Sequence, residues 1–319
     1  MVYIGVDLGG TNIAIGLCDK DLKILAKGSV PTRPERAPEE IVKDMADLAA
    51  KLLKENGYGV DEVESVGIAT PGTANSDTGV VEYANNIPFL RFPIADVFRS
   101  YLPVKRVLIE NDANAAALAE ALVGAAKGTK KSVMITLGTG VGGGIVIDGK
   151  VYSGFNHAAG ELGHTVIEKD GRPCSCGRRG CWEAYSSATG LVNMTREKVT
   201  ECKIKGIPSL MVDEFEETGR VSARTAFNAM KRDDAVGAAV VRDYVDYLAC
   251  GLTNMINIFQ PEVLSIGGGI CNEGDNLLKP LLEIIRTEQY TRNLPNKCEV
   301  RIAELGNDAG IIGAAGLGL

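Results

Sequence analysis

The sequence predicts an α/β protein made of two related halves with a cleft between them. Two glycine-rich segments, residues 4–17 and 134–147, carry apolar and β-branched residues on both sides of a glycine turn. This pattern is typical of a strand, a tight turn and a second strand. The two hairpins lie about 130 residues apart, and each begins a comparable series of helices and strands. A series that repeats in this way indicates a duplicated α/β unit.

Apolar patterns assign the elements of the first half. The predicted elements are strands to about Val30, a loop over 31–38, a helix over 39–56, a strand over 63–69, a strand over 104–110 and an alanine-rich helix over 113–124. In the first helix Ile41, Met45 and Leu48 keep helical spacing. The strand over 63–69 is apolar and ends in the turn Thr70-Pro71-Gly72. Open α/β sheets bind their ligands at such carboxyl ends.

The second half begins with the second glycine hairpin. The predicted elements after it are a loop-rich segment over 154–180, a long helix over 234–259, a strand over 263–266 and a helix of small residues over 309–319. The loop-rich segment contains both histidines, and the strand leads directly into Gly267-Gly268-Gly269.

Composition limits the classes of protein that fit. The chain has 319 residues, of which 45% are hydrophobic and 24% charged, as expected for two globular domains. A net charge of −7 argues against nucleic acid as the main partner. No basic leader precedes an apolar run, and no stretch of about 18 apolar residues lacks glycine or charge, so we expect no membrane span. A cytoplasmic location is the expectation.

The two glycine turns are candidate phosphate sites, because closely spaced backbone N–H groups bind anions. The candidate residues are Asp7, Gly9, Gly10, Thr11 and Asn12 in the first turn, and Gly138, Thr139 and Gly140 in the second. The second turn also matches the dinucleotide pattern G-x-G-x-x-G, but that pattern opens a helix and a strand follows here. No G-x-x-x-x-G-K-[ST] motif occurs. The alternative is that both segments are only tight hairpins.

Glu110-Asn111-Asp112 closes an apolar strand just before a predicted helix. Phosphoryl transfer to an alcohol benefits from a carboxylate that accepts the hydroxyl proton, and Asp112 suits this role, with Asn111 holding the acceptor. Taken by itself, the local pattern favours the alternative that Asp112 caps the helix. Asp7 is the rival acid, and its place beside a glycine turn suits magnesium.

Cys174, Cys176 and Cys181 form a C-x-C-x4-C cluster, and His164 lies ten residues before it. Three thiolates and one imidazole complete a tetrahedral zinc site without an open position, which predicts a structural ion. His157 is the other candidate for the fourth ligand. A disulfide is disfavoured in a cytoplasmic chain, and a cluster of free thiols is the remaining alternative. A zinc loop would hold Glu161 and Glu183 in place, whereas both would otherwise be solvated.

Five motifs, in this order and spacing, resemble the ROK family of repressors, open-reading-frame proteins and sugar kinases, and most of all its ATP-dependent glucokinase branch. They are Asp7–Thr11, Glu110–Asn114, Leu137–Gly144, Glu161–His164 and the Cys174–Cys181 cluster with Glu183. The resemblance extends over essentially the whole chain. It implies two actin-like, hexokinase-type (ribonuclease H-like) α/β lobes around a cleft. We expect a small lobe of residues 1–112 plus about 300–319 and a large lobe of 113–299 that carries the zinc loop.

The resemblance also implies roles for residues. Asp112 becomes the general base toward the sugar 6-hydroxyl, against the local preference for a cap. The implied sugar ligands are Gly72, Asn86, Asn111, Asp112, Glu161, His164 and Glu183, with Asn85 as an alternative to Asn86. His164 would serve sugar and zinc through different ring nitrogens. The glycine turns would bind the ATP phosphates, and Gly267, Gly268 and Gly269 would border the adenosine.

The function implied is ATP- and Mg²⁺-dependent phosphorylation of a hexose, with glucose as the leading acceptor. N-acetylmannosamine, N-acetylglucosamine, fructose and allose are alternative acceptors. A non-catalytic sugar sensor and an ATPase of another kind on the same lobes are alternatives of a different class. Repressor members carry an N-terminal helix-turn-helix, whereas here the first strand begins at Val2, so we expect no DNA binding. Family members suggest a homodimer or homotetramer.

Overall fold

The computed structural model describes all 319 residues as a mixed α/β protein. Its strands are β1 (Val2–Leu8), β2 (Asn12–Cys18), β3 (Ile24–Pro31), β4 (Val63–Thr70), β5 (Thr73–Asn75), β6 (Val80–Tyr83), β7 (Leu90–Phe92), β8 (Val107–Asn111), β9 (Lys131–Leu137), β10 (Val141–Ile147), β11 (Lys150–Val151), β12 (Val263–Gly267) and β13 (Glu299–Ile302). Both predicted glycine hairpins are confirmed as β1–β2 and β9–β10.

Ten α-helices accompany the strands. They are α1 (Pro38–Glu55), α2 (Ile94–Tyr101), α3 (Asp112–Leu122), α4 (Glu183–Ser186), α5 (Ala188–Lys205), α6 (Leu210–Thr218), α7 (Thr225–Met230), α8 (Ala235–Phe259), α9 (Asp275–Glu288) and α10 (Ala309–Gly316). The four predicted helices correspond to α1, α3, α8 and α10 with small shifts at their ends. No helix is long and apolar enough to cross a membrane.

The first sheet has the strand order β3-β2-β1-β4-β8. The hairpin β1–β2 is antiparallel, whereas β4 pairs in parallel with β1 and with β8. The parallel strands are nearly continuous apolar runs, as expected for strands buried on both faces. Because β4 and β8 run in the same direction and Thr70 is in register with Asn111, the turns that follow both strands lie at one edge of the sheet.

Helix α10 packs directly against this sheet through small residues. A Cβ on Gly67 would lie 1.8 Å from the carbonyl oxygen of Ala314, and one on Gly313 would lie 1.8 Å from that of Ala115. No side chain fits at these contacts. The small-residue composition of α10 therefore reflects close backbone approach to β4 and α3.

Two further sheets complete the strand set. One has the order β11-β10-β9-β12-β13, and the other is a three-stranded antiparallel sheet of β5, β6 and β7. The sequence patterns did not reveal this small sheet, because its strands have only three or four residues.

The chain divides into two compact units. The first contains 1–134, 144–160 and 303–319, and the second contains 135–143 and 161–302. The first unit thus extends past the predicted lobe boundary at residue 112. The reason is that α3 packs on α10, which in turn packs on β1 and β4. The C-terminal segment belongs to the first unit, close to the expected residues 300–319.

Candidate active site

Asn111 links the ends of β4 and β8 in the first unit. Its Oδ1 accepts hydrogen bonds from the backbone N–H groups of Ala113 (2.9 Å) and Asn114 (3.2 Å), so Asn111 is the N-cap of α3. Its Nδ2 donates to the carbonyl oxygen of Gly72 at 3.1 Å. Gly72 has φ +84°, and a Cβ there would lie 2.0 Å from the carbonyl oxygen of Tyr83, so only glycine fits this turn.

Asp112 is the first residue of α3 and not its cap, so the local prediction of a capping role for Asp112 is wrong. Its Oδ1 accepts from the N–H of Ala113 at 2.8 Å.

Asp7 lies close enough to Asp112 for their charges to interact. Burial, and then repulsion by Asp112, raises the pKa of Asp7 to about 6. The first turn of α10 packs against Asp7, since a Cβ on Gly310 would lie 2.5 Å from the Asp7 Cγ. Two neighbouring carboxylates without a cation repel each other, and the oxygen ligands that Mg²⁺ prefers are of this kind.

Glu110 supports the junction of β8 and α3 through hydrogen bonds to Asn111 and Asn114. It is 4% exposed, and its Oε1 accepts from the backbone N–H of Asn111 (2.8 Å) and from the Asn114 Nδ2 (3.0 Å). Burial raises the pKa of Glu110 against the opposing effect of these two hydrogen bonds. No separate role for Glu110 follows from the local residue pattern. A carboxylate at the end of an apolar strand was the available signal.

Two hydrogen bonds hold the first glycine turn, one within the turn and one from Thr32, which directly follows β3. The Gly9 N–H donates to the Asn12 carbonyl oxygen (2.9 Å), and the hydroxyl of Thr32 donates to the Gly9 carbonyl oxygen (2.6 Å). Thr11 and Asn12 are exposed. Asn86 lies beside this turn, because its Cβ would be 3.3 Å from a Cβ on Gly10.

Asn85 has a different environment from Asn86. Its Oδ1 accepts a hydrogen bond from the hydroxyl of Tyr83. Of the two neighbours, Asn86 is the one that lies beside the first glycine turn.

The second glycine turn lies in the second unit. The Gly138 N–H donates to the Gly140 carbonyl oxygen (3.0 Å), and the start of α5 supports the turn through Ala188 and Thr189. Gly268, with φ +105°, approaches the same turn, since a Cβ there would lie 2.1 Å from the Leu137 carbonyl oxygen. Strand β10 follows the turn, as predicted, and excludes the dinucleotide fingerprint.

The Cys/His cluster is also in the second unit. One ligand atom each from His164, Cys174, Cys176 and Cys181 lies within 4.8 Å of all the others. The His164 Nδ1 is 3.6 Å from the Cys174 Sγ, and the Cys176 and Cys181 sulfurs are 3.7 Å apart. Zinc at about 2.3 Å from sulfur and about 2.0 Å from nitrogen places tetrahedral ligand atoms roughly 3.5–3.8 Å apart. The four residues therefore fit a zinc ion.

The two ring nitrogens of His164 face different partners. While Nδ1 faces Cys174, Nε2 lies 3.9 Å from the Glu161 Oε2. His157 is not part of the cluster, because its ring nitrogens contact Ser76 and Asp77 in the first unit. His164, and not His157, therefore lies with the three cysteines.

Glu183 connects the Cys/His cluster with the second glycine turn. Its Oε2 accepts from the Val141 N–H at 3.0 Å, and its Oε1 lies 3.4 Å from the hydroxyl of Ser175. A Cβ on Gly140 would lie 2.3 Å from the Glu183 Oε2. Glu183 is therefore hydrogen-bonded and only partly exposed, which argues against the alternative of a solvated side chain, whereas Glu161 is exposed.

The residues that the sequence predicted for the site are divided between the two units. The first unit carries Asp112, Asn111, Gly72, Asn86, Asp7 and the first glycine turn, and the second carries Glu161, His164, Glu183, Gly138–Gly140 and Gly267–Gly269.

Comparison with known proteins identifies relatives of this chain. Residues 3–319 match the model of the ROK family. A glucokinase of Halalkalibacterium halodurans is 38% identical over 316 residues, which cover 99% of this chain and 94% of the relative. A glucokinase of Thermotoga maritima is 37% identical over 316 residues, 98% of this chain and 96% of the relative.

Solved structures agree with this result. A ROK glucokinase from Streptomyces griseus, in complex with glucose and AMPPNP, has a TM-score of 0.79, with 32% identity over 99% of both chains. A ROK hexokinase from Thermus thermophilus has a TM-score of 0.81, with 34% identity over 99% of this chain and 97% of that one. The predicted hexokinase-type fold class is confirmed by these similarities.

Proposed function

Because the chain belongs to the ROK family, we propose that it is an ATP-dependent hexose kinase that phosphorylates the 6-hydroxyl of glucose. The observation that supports it most is the position of Asp112, in the first turn of α3 with the capping role taken by Asn111. Asp112 thus directly follows the carboxyl end of the parallel strand β8, where open α/β sheets bind their ligands. Glucokinases that match nearly the whole chain support glucose as the acceptor.

Asp112 acts as the general base. As the sugar O6 attacks the γ-phosphorus of ATP, the hydroxyl proton passes to the Asp112 carboxylate, the bond to the bridging oxygen breaks and ADP leaves. Asn111 holds this turn to Gly72 with one amide hydrogen and has a second one to donate to the sugar. Gly72 and Asn86 complete the sugar ligands of the first unit.

ATP is bound by the two glycine turns and by Gly267–Gly269. Backbone N–H groups of the turns receive the phosphate oxygens, and Gly268 keeps the third segment against the second turn. Mg²⁺, when bound, neutralises the phosphate charge beside Asp7. A cation there offsets the repulsion between Asp7 and Asp112.

His164, Cys174, Cys176 and Cys181 would hold a zinc ion, which would supply a structural crosslink of the loop. With Nδ1 directed to the metal, the Nε2 of His164 remains for a sugar hydroxyl. Glu161 and Glu183 flank the same loop and bind further hydroxyls. Glu183 already contacts the second glycine turn, and so it connects sugar recognition with the ATP phosphates.

The test is ATP-dependent ADP release, with Mg²⁺, on glucose, mannose, fructose, N-acetylglucosamine and N-acetylmannosamine. We expect kcat/KM for glucose to exceed that for each other sugar. Preference for an N-acetylated sugar would keep the mechanism and replace the acceptor. N-acetyl-D-glucosamine kinase of Aliivibrio salmonicida, 31% identical over the whole chain, makes this the second candidate. Inactivity on every sugar would favour a sensor.

We also propose a homodimer or homotetramer, which sedimentation equilibrium measures directly. A cytoplasmic location stays a prediction from composition.

A further inference from the structure

An open cavity of about 580 Å³ lies in the first unit, among residues that have no role in the proposed reaction. Its walls come from the segment around the β5–β6 turn and from the loop before Glu161. Ligand sites in proteins have volumes of about 300–1,000 Å³. The cavity is thus large enough for a small molecule.

Two contacts engage polar side chains of the cavity. The Asn75 Nδ2 donates to the Glu82 Oε1 at 3.1 Å, and the His157 Nε2 is 3.5 Å from the Asp77 Oδ2. Asp77 is 86% exposed, so water already solvates its charge, and the two carboxylates disfavour an anion such as a phosphorylated compound. Hydroxyl, amide and carboxylate oxygens remain on the wall, and these groups suit a neutral polyhydroxylated ligand.

One wall of the cavity is held in a fixed conformation. His157 has φ +58°, which is costly for a residue with a side chain. Its Nδ1 lies 3.3 Å from the Ser76 hydroxyl while its Nε2 faces Asp77, so contacts on both sides of the ring maintain the strained backbone. A wall that is formed before the ligand arrives lowers the entropic cost of binding.

Phe155 stands at this cavity with its side chain fully in solvent, 99% exposed. Leaving a large aromatic side chain entirely in water is unfavourable. A flat apolar ring beside hydroxyl and amide groups matches a sugar ring, which has apolar C–H faces and polar edges.

The cavity is next to the proposed acceptor site. Thr73 lines it and directly follows Gly72, whose carbonyl oxygen is bound by Asn111, the neighbour of Asp112. Successive Cα atoms are about 3.8 Å apart, so the cavity begins on the order of 10 Å from Asp112. A second sugar ring, linked to one whose 6-hydroxyl is at Asp112, can reach it.

We propose that this cavity is a subsite for a second sugar unit, so that disaccharides with a free 6-hydroxyl on the terminal hexose bind with the second ring on Phe155. The inference rests on the proposed function, because it takes the 6-hydroxyl position from Asp112. The transfer itself is unchanged: O6 forms the new bond to phosphorus, ADP leaves with the electron pair of the broken bond, and the proton goes to Asp112.

The test is calorimetric titration, without nucleotide, of glucose, maltose and cellobiose into the wild type and three variants. Phe155→Ala removes the ring, and Phe155→Tyr keeps it. Tyr152→Ala removes an exposed aromatic residue of the same segment that does not line the cavity. We expect Phe155→Ala to weaken binding of at least one disaccharide about tenfold, with glucose within twofold, and Phe155→Tyr and Tyr152→Ala to bind like the wild type.

Absence of disaccharide binding to a wild type that binds glucose overturns the subsite. An equal loss in Phe155→Ala and Tyr152→Ala, or a loss that affects glucose as much as the disaccharides, also overturns it. Failure of the proposed function has a different signature, since it removes ADP release with glucose. The titrations need no turnover, so they decide the subsite separately.

Discussion

Asn111 donates a hydrogen bond from its side-chain amide to the carbonyl oxygen of Gly72, across the ends of the parallel strands β8 and β4. The same side chain caps α3 through its oxygen. One residue therefore sets both the turn after β4 and the start of the helix on which Asp112 stands. This relationship explains why an amide, with a donor and an acceptor on one group, fits this position.

Asn111→Ala should lower the free energy of unfolding by about 1–3 kcal/mol, from the lost cap and the lost bond to Gly72. It should also lower kcat, because Asp112 loses its support. Urea unfolding and ADP release measure the two effects.

Ser209→Ala is the matched control, since Ser209 caps α6 in the second unit. It should lower stability by about 0.5–2 kcal/mol with kcat unchanged. Equal kcat in both variants would contradict the positioning role.

Asp112→Asn should reduce kcat by about 10²- to 10⁴-fold, because the amide does not accept the hydroxyl proton. Binding of AMPPNP should change little, and titration of the variant measures this. Asp96→Asn is the control, a carboxylate on α2 that pairs with Arg99 at the surface. Near wild-type turnover in Asp112→Asn would show that another group is the base.

Cys176→Ser should remove zinc from the purified protein, from about one ion per chain to near zero, because a three-ligand site is open to solvent. Cys250→Ser, outside the cluster, is the control and should keep its zinc. Mass spectrometry of the metal content decides between them. A wild type without zinc, or a Cys176→Ser variant with an unchanged content, would refute the metal site.

The raised pKa of Asp7 predicts a pH dependence of stability. Its ordinary value of 3.8 applies to the unfolded chain, and about 6 applies to the folded protein. Between these values the folded state binds more protons, so the contribution of Asp7 to the free energy of unfolding falls as pH rises, by up to about 3 kcal/mol. Asp7→Asn removes this dependence. Relative to the wild type, the variant should therefore gain stability between about pH 4 and pH 7.

Urea unfolding without Mg²⁺ at several pH values in this window measures the Asp7 contribution. Asp213→Asn changes an exposed carboxylate of α6 and should follow the wild-type curve. Parallel curves for wild type and Asp7→Asn would show that Asp7 does not titrate in the window.

Local sequence patterns predicted the elements that are long or strongly apolar. The hairpins β1–β2 and β9–β10 and the helices α1 and α8 follow from periodicity and glycine turns. The patterns did not assign β5–β7, β11 and β13 or helices α2, α4–α7 and α9. Short strands carry too few residues to show a period of two, and α5 keeps its polar residues on more than one side.

Local motifs are enough to predict the residue types of the site: two glycine turns, a carboxylate after an apolar strand, and a Cys/His set with zinc spacing. Spacing along the chain is enough for these because the residues of each motif are near neighbours. Three features are seen only in the folded chain: Asn111 and not Asp112 caps α3, His164 and not His157 joins the cysteines, and Glu183 reaches the second glycine turn. Each of these depends on backbone direction and on contacts between residues distant in sequence, which local patterns do not record.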